Sequence, residues 1–161
     1  FLHATPPMST PSQLWDTPLV DAAGYVNVDR SSMQHIKYKN VFALGDCANL
    51  PTSKTAAAIA GQSGLVAQNL RSVMKGNDPT GVYDGYTSCP LVTTKNTCIL
   101  AEFGYDGKVM ETFPFNQAKE RRSMYIMKAD LMPPMYWHGL IKGMWNGPKY
   151  IRKMLHLGMS D

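Results

Sequence analysis

Apolar and polar residues alternate over residues 25–28 (Tyr25-Val26-Asn27-Val28), and an unbroken apolar run follows at 41–44 (Val41-Phe42-Ala43-Leu44). Both patterns predict short strands, the second buried, with Val41 and Phe42 of the β-branched and aromatic kind that strands favour. The run stops on Gly45-Asp46. Beyond it, Ile59, Val66, Leu70 and Val73 recur at helical spacing among Ala56, Ala57, Ala58, Ala60, Gly61 and Gly64. One long helix is predicted over 54–75, with Thr52 or Ser53 as its N-cap and the four larger apolar residues as its packing face. Gly76-Asn77-Asp78-Pro79 breaks it. A different composition then begins: residues 89–94, a Lys95-Asn96 turn, residues 97–103 and residues 109–113 around Tyr105-Asp106-Gly107-Lys108. These read as antiparallel hairpins, Asp-Gly being a strong turn signal. In the last third, two amphipathic helices are expected. One lies around 136–145; the other opens with Gly147-Pro148 and carries Tyr150, Ile151, Met154, Leu155 and Leu157.

Charge separates that last third from the rest. Residues 1–116 hold eight Lys or Arg against nine acids, and residues 117–161 hold eight against three, so the tail carries essentially the whole +4 excess. It also carries Met124, Met127, Met132, Met135, Met144, Met154 and Met159 among Tyr125, Tyr136, Trp137, Trp145 and Tyr150. A surface this rich in Met and interfacial aromatics suits membrane lipid rather than nucleic acid, with Lys149, Arg152 and Lys153 available to headgroups. Lys128, Asp130, His138, Lys142 and the later cations interrupt every apolar run, which argues against a membrane span. The alternative is that the two helices cap a core or form a dimer contact. Three cysteines, Cys47, Cys89 and Cys98, make no Cys-x-x-Cys and no zinc spacing, so neither a disulfide framework nor a metal site is expected.

The strand-to-helix junction bears candidate chemistry. A strand ending on Gly45-Asp46 delivers one carboxylate to a crevice where a flavin ribityl hydroxyl would suit it, and Gly45 allows the tight turn. The next helix points its N-terminal N–H groups and positive dipole end into the same crevice, a field that favours the electron-rich edge of a reduced flavin. The alternative is an ordinary α/β turn. The sequence starts at Phe1 and holds no Gly-x-Gly-x-x-Gly, so the expectation is the carboxy-terminal portion of a longer protein, with the rest of the dinucleotide site upstream. Cys89 sits at the mouth of the first hairpin before Pro90, which biases it toward an extended conformation and would aim its sulfur in one direction. Its alternative is a small buried hydrophobe, the role expected also of Cys98; Cys47, beside Asp46, is expected to pack as well, its alternative being a contact with the cofactor.

These residues together resemble the carboxy-terminal part of the sulfide:quinone oxidoreductases, most closely the animal mitochondrial form. The resemblance runs from His3-Ala4-Thr5-Pro6-Pro7-Met8 through the 40–47 strand, Asn49-Leu50-Pro51-Thr52-Ser53-Lys54-Thr55 with its alanines, Tyr83-Asp84-Gly85-Tyr86-Thr87-Ser88-Cys89-Pro90-Leu91-Val92-Thr93 and Lys128-Ala129-Asp130-Leu131-Met132-Pro133 to His156-Leu157-Gly158-Met159-Ser160. It implies an α/β fold, α+β as a fragment: the end of two FAD/NAD(P)-binding Rossmann-like domains (1–76), antiparallel hairpins with the redox cysteine (77–116) and a helical membrane tail (117–161). It further implies an enzyme that oxidises hydrogen sulfide through a cysteine persulfide and passes electrons via FAD to ubiquinone. The sulfane sulfur would go to glutathione, sulfite or coenzyme A.

By this resemblance Cys89 is one of two redox cysteines, the other lying in the missing N-terminal part of the same protein; Gly45, Asp46, Lys54 and Thr55 contact FAD, and Lys128 stands near the active-site mouth. A monotopic or peripheral place on the mitochondrial inner membrane follows, with an inactive isolated chain. Thr94 departs from the glycine of related sequences. The other readings are a type II NADH:quinone dehydrogenase-like flavoprotein, whose pattern needs no cysteine at 89, and a non-catalytic membrane-binding fragment.

Overall fold

The computed structural model describes residues 1–158; Met159 and the end of the tail lie outside them. Segment 20–50 is built from single bridges rather than strands: Val20 with Val26, Val26 with Ala48, Val28 with His35 and Gln34 with Phe42. The strands expected at 25–28 and 41–44 are therefore reduced to bridges. The physical reason is that the backbone changes partner every residue or two: Val26 donates to Cys47, Asn49 to Val26, His35 to Val41 and Ala43 to Met33. The burial pattern nonetheless follows the sequence, since Val26, Val28, Ala43, Ala48 and Leu50 form one core with Met33, Val66, Tyr83 and Tyr86. Side chains hold the irregular backbone in place, His35 Nδ1 accepting from the N–H groups of Lys37 and Tyr38 while Nε2 meets the Leu19 carbonyl at 3.0 Å.

Helix α1 spans Ala56–Met74, and its N-cap is Thr55 instead of Thr52 or Ser53: the Thr55 hydroxyl accepts from Ala58 N–H at 3.1 Å. Of the four residues expected on its packing face, Val66 is buried in the core and Leu70 is not. Ala58, Gln62, Val66 and Asn69 point inward, while Leu70 is exposed. Asn69 is completely buried and fully used, donating to the carbonyls of Ser32 and Gly81 and accepting from Thr80 and Gly81 N–H. The chain after α1 is thus fastened by an amide where an apolar contact was expected.

The hairpin is antiparallel as expected. Strand β1 (Thr87–Val92) pairs with β2 (Cys98–Phe103), Cys89 opposite Ala101 and Val92 opposite Cys98. Thr94 contributes to its turn, the hydroxyl lying 2.6 Å from that of Thr97. At the Asp-Gly turn, Asp106 and Gly107 both adopt positive φ, but the return strand over 109–113 shrinks to one bridge, Phe103 with Val109. The Glu102 carboxylate takes the Thr112 N–H and so draws the backbone out of the ladder.

The tail begins its helix earlier than expected. Turns run without a break through α2 (Arg122–Ile126), a π segment (Met127–Leu131), α3 (Met132–Met135) and a second π segment (Tyr136–Leu140). Pro133 and Pro134 lack N–H groups, and the widened turns on either side absorb them. This helix ends before Trp145, with Gly143 in the left-handed region. Helix α4 (Lys149–Leu155) follows Gly147-Pro148 as expected. No helix among the described residues is long and apolar enough to cross a membrane. The tail folds back on α1 where side chains are smallest: a Cβ on Gly64 would meet Asn146, and Gly147, at φ +86°, lies against the Gly61 backbone. The small-residue surface of α1 serves close approach, and its partner here is the tail.

Candidate functional site

Gly45, Asp46 and Cys47 form one tight turn after the bridge at Phe42. Gly45 has φ +69°, a conformation that suits glycine, and a Cβ there would press on Ile59. Its N–H donates to Gln62 Oε1 at 2.7 Å, so a completely buried amide of α1 sets the position of the turn. Asp46 is exposed and makes no hydrogen bond or ion pair among the described residues, leaving an open carboxylate beside the start of α1. Lys54 folds back over the same turn: its Nζ donates to the Ala48 carbonyl and stands 5.0 Å from the centroid of Tyr25. Burial holds its pKa below the ordinary lysine value, partly offset by the fields of Asp46, Cys47 and Asp21.

Thr55 joins the start of α1 to the hairpin. Its hydroxyl lies 2.9 Å from that of Thr87, which donates in turn to the Ser53 carbonyl at 3.2 Å. Two residues on, Cys89 is exposed inside β1 instead of at the hairpin mouth, because the ladder continues from Thr87 to Val92. The consequence is a shared cavity of about 310 Å³. Thr55, Ala56 and Ala57 from the start of α1, Ser88, Cys89 and Pro90 from β1, and Met132, Met135, Tyr136, Leu140 and Trp145 from the tail line it. A second apolar cavity of about 290 Å³ adjoins it through Ala57, Ser88, Met132, Met135 and Trp145, and reaches Tyr86, Glu102 and Thr112.

The polar floor of that second cavity escaped the sequence pattern. Glu102 is 3% exposed, yet its carboxylate accepts from Tyr86 Oη (2.5 Å), Thr112 N (2.8 Å), Thr112 Oγ1 (2.7 Å) and Gln117 Nε2 (2.7 Å). Burial first, and Glu102 second, push the Tyr86 phenol far above its ordinary value. Alternation along β2 predicts an inward residue at 102, but nothing in a single sequence says that the inward residue is a satisfied acid. Cys98 is fully buried as expected, its thiol pushed up by burial and drawn partly back by Lys128. Lys128 lines neither cavity and acts on the Cys98 side of β2. Arg152, expected at lipid headgroups, is 3% exposed and faces inward.

No protein-family model matches the chain. Curated relatives do. A mitochondrial sulfide:quinone oxidoreductase of Mus musculus is 57% identical over 160 residues, 99% of this chain and 36% of that protein. Those of Dictyostelium discoideum and Schizosaccharomyces pombe are 48% and 42% identical over 91% and 92% of this chain, and 33% and 34% of their own lengths. Among solved structures, one chain of the cryo-EM structure of the Tetrahymena thermophila mitochondrial ATP synthase F1Fo composite tetramer superposes with a TM-score of 0.60 at 28% identity, over 93% of this chain and 33% of that one. The chain spans about a third of the length of the curated relatives it matches. By sequence it belongs with the mitochondrial sulfide:quinone oxidoreductases, as a stretch corresponding to about a third of their length.

Proposed function

We propose that the chain is the carboxy-terminal portion of an FAD-dependent enzyme that oxidises hydrogen sulfide and reduces ubiquinone. In this reading residues 1–76 complete the FAD-contacting domains, 77–116 carry the redox cysteine and 117–161 form the membrane-associating tail. One observation carries it: Cys89 and the first residues of α1 open into the same apolar cavity beneath a Met- and Trp-lined tail.

The residues fit FAD by their donor set. Asp46 offers an open carboxylate to a ribityl hydroxyl, Gly45 lets the backbone approach, and Lys54 and the N–H groups opening α1 after Thr55 favour negative charge at a pyrimidine edge. When bound, FAD supplies an acceptor for two electrons. Cys89 supplies the sulfur chemistry: hydrosulfide opens its disulfide with the partner cysteine of the full-length protein, leaving one sulfur as a persulfide and the other as a thiolate. A nucleophile such as glutathione, sulfite or coenzyme A then removes the outer sulfur. Closing the disulfide again releases two electrons and two protons, the amount that turns ubiquinone into ubiquinol. The adjoining apolar cavities suit a quinone ring and the start of its chain. Lys128 is proposed near the entrance to the sulfur site. Tyr150, Met154 and Leu157, which are 85%, 68% and 83% exposed, give α4 and its end an apolar outer face for a monotopic place on the mitochondrial inner membrane.

The test is anaerobic. In the full-length, FAD-loaded enzyme, sulfide bleaches the flavin within mixing time while NADH leaves it oxidised. Bleaching by NADH ahead of sulfide would assign the protein to the type II NADH:quinone dehydrogenase-like flavoproteins instead.

A further inference from the structure

The inward face of α4 is basic, and its cation is poorly matched. Arg152 is 3% exposed, its Nη2 stands 3.8 Å from Asp84 Oδ2, and its guanidinium lies 5.2 Å from the centre of the Tyr86 ring. Its Nη1 is buried and has no hydrogen-bond partner among the described residues. Buried guanidinium groups are ordinarily hydrogen-bonded on most of their five N–H donors, because leaving one unmet in a dry site is costly. Lys149 Nζ reaches for the same Asp84 oxygen, also at 3.8 Å. One carboxylate thus serves two cations at loose separation, which leaves a surplus positive charge. Arg152, Lys149 and Asp84, with Tyr83, Asn146 and Gly61, line a cavity of about 90 Å³ between α4 and α1. The Tyr83 hydroxyl already donates to the Tyr86 carbonyl, so the donors left for an occupant are the basic groups and the Asn146 carboxamide.

We propose that this cavity binds a phosphate-type oxyanion, either a lipid phosphodiester headgroup or free phosphate, held between Arg152 and Lys149. The planar fork of arginine matches two oxygens of such an anion, and the half-exposed lysine adds a second charge at the opening. The volume suits one small tetrahedral ion or a few waters. An anion there completes the join of tail to core, since Gly147 rests on Gly61 and Tyr86 continues to the floor of the apolar cavity. The site does not depend on the redox reading.

The test uses the full-length, FAD-loaded protein, with inorganic phosphate as one probe and phosphatidylcholine vesicles with or without phosphatidylglycerol as the other. For free phosphate, the melting temperature rises with phosphate, Lys149→Gln weakens that binding about tenfold, the loss of one charge-assisted contact, and Asp84→Asn strengthens it by removing the competing carboxylate. For a headgroup, phosphate does nothing, but flotation with phosphatidylglycerol vesicles falls with Lys149→Gln more than with Lys153→Gln, a control on the exposed side of the helix. The proposal is overturned if neither probe responds to Lys149→Gln or Asp84→Asn, or if phosphate does nothing and Lys149→Gln and Lys153→Gln reduce flotation equally.

Discussion

Cys89→Ser in the full-length, FAD-loaded enzyme lowers sulfide-dependent quinone reduction by at least about 10³-fold, with unchanged flavin content and the melting temperature of the dithiothreitol-reduced wild type, which lacks the same disulfide. The hydroxyl keeps the volume and the extended backbone before Pro90, but it cannot accept a sulfur atom or form a disulfide. Beyond the lost disulfide, stability is spared because Cys89 is exposed on β1 and its side chain makes no hydrogen bond among the described residues. Steady-state quinone reduction, flavin absorbance and a melting curve on one preparation separate this outcome from a folding defect. Activity within a few-fold of wild type would remove Cys89 from the chemistry.

The second large effect is structural. Glu102→Leu leaves the Tyr86 hydroxyl, both Thr112 donors and the Gln117 amide facing an apolar side chain. Each unmet buried donor costs about 1–3 kcal/mol, and partial relaxation brings the expected loss to about 3–5 kcal/mol. Glu102→Gln is milder, at about 2–3 kcal/mol, because one oxygen still accepts while its NH₂ meets another donor. Urea unfolding of the full-length protein, read at the tail tryptophans, measures both variants. A loss below about 1 kcal/mol for Glu102→Leu would mean that this network does not hold the hairpin to the 112–117 segment.

The helix and the first hairpin were legible because their signals are local: helical spacing from 54 to 75, a Lys-Asn turn, an Asp-Gly turn. The error at the two expected strands is of another kind, since Val26 and Ala43 are inside as their pattern requires while the bridges that would make strands are shared among too many partners. Burial of Gln62, Asn69 and Arg152, and of a charge at the inward position 102, was not legible, because pattern reading places amides and charges outside unless a partner is known, and each of these finds its partner or its cavity from a distant segment. Pro133-Pro134 concealed the early start of the tail helix for a similar reason. A proline pair marks a break in sequence, and only the widened turns around it show how the helix continues. Of the candidate site, the residues were readable and their convergence was not: Thr55 and Cys89 line one cavity, with Thr55 tied to the hairpin through the Thr87 hydroxyl, while Asp46 is not among the residues that line it.

The redox role of Cys89 is tested most directly by differential alkylation of Cys47, Cys89 and Cys98 in the full-length, FAD-loaded enzyme before and after one equivalent of sulfide. Cys98 is the internal reference, because burial keeps its thiol protonated and hidden, and it stays unlabelled in the native protein throughout. The expected result is that Cys89 is blocked in the oxidised enzyme and becomes labelled after sulfide, as thiol or as persulfide. Equal labelling of Cys89 before and after sulfide would contradict it.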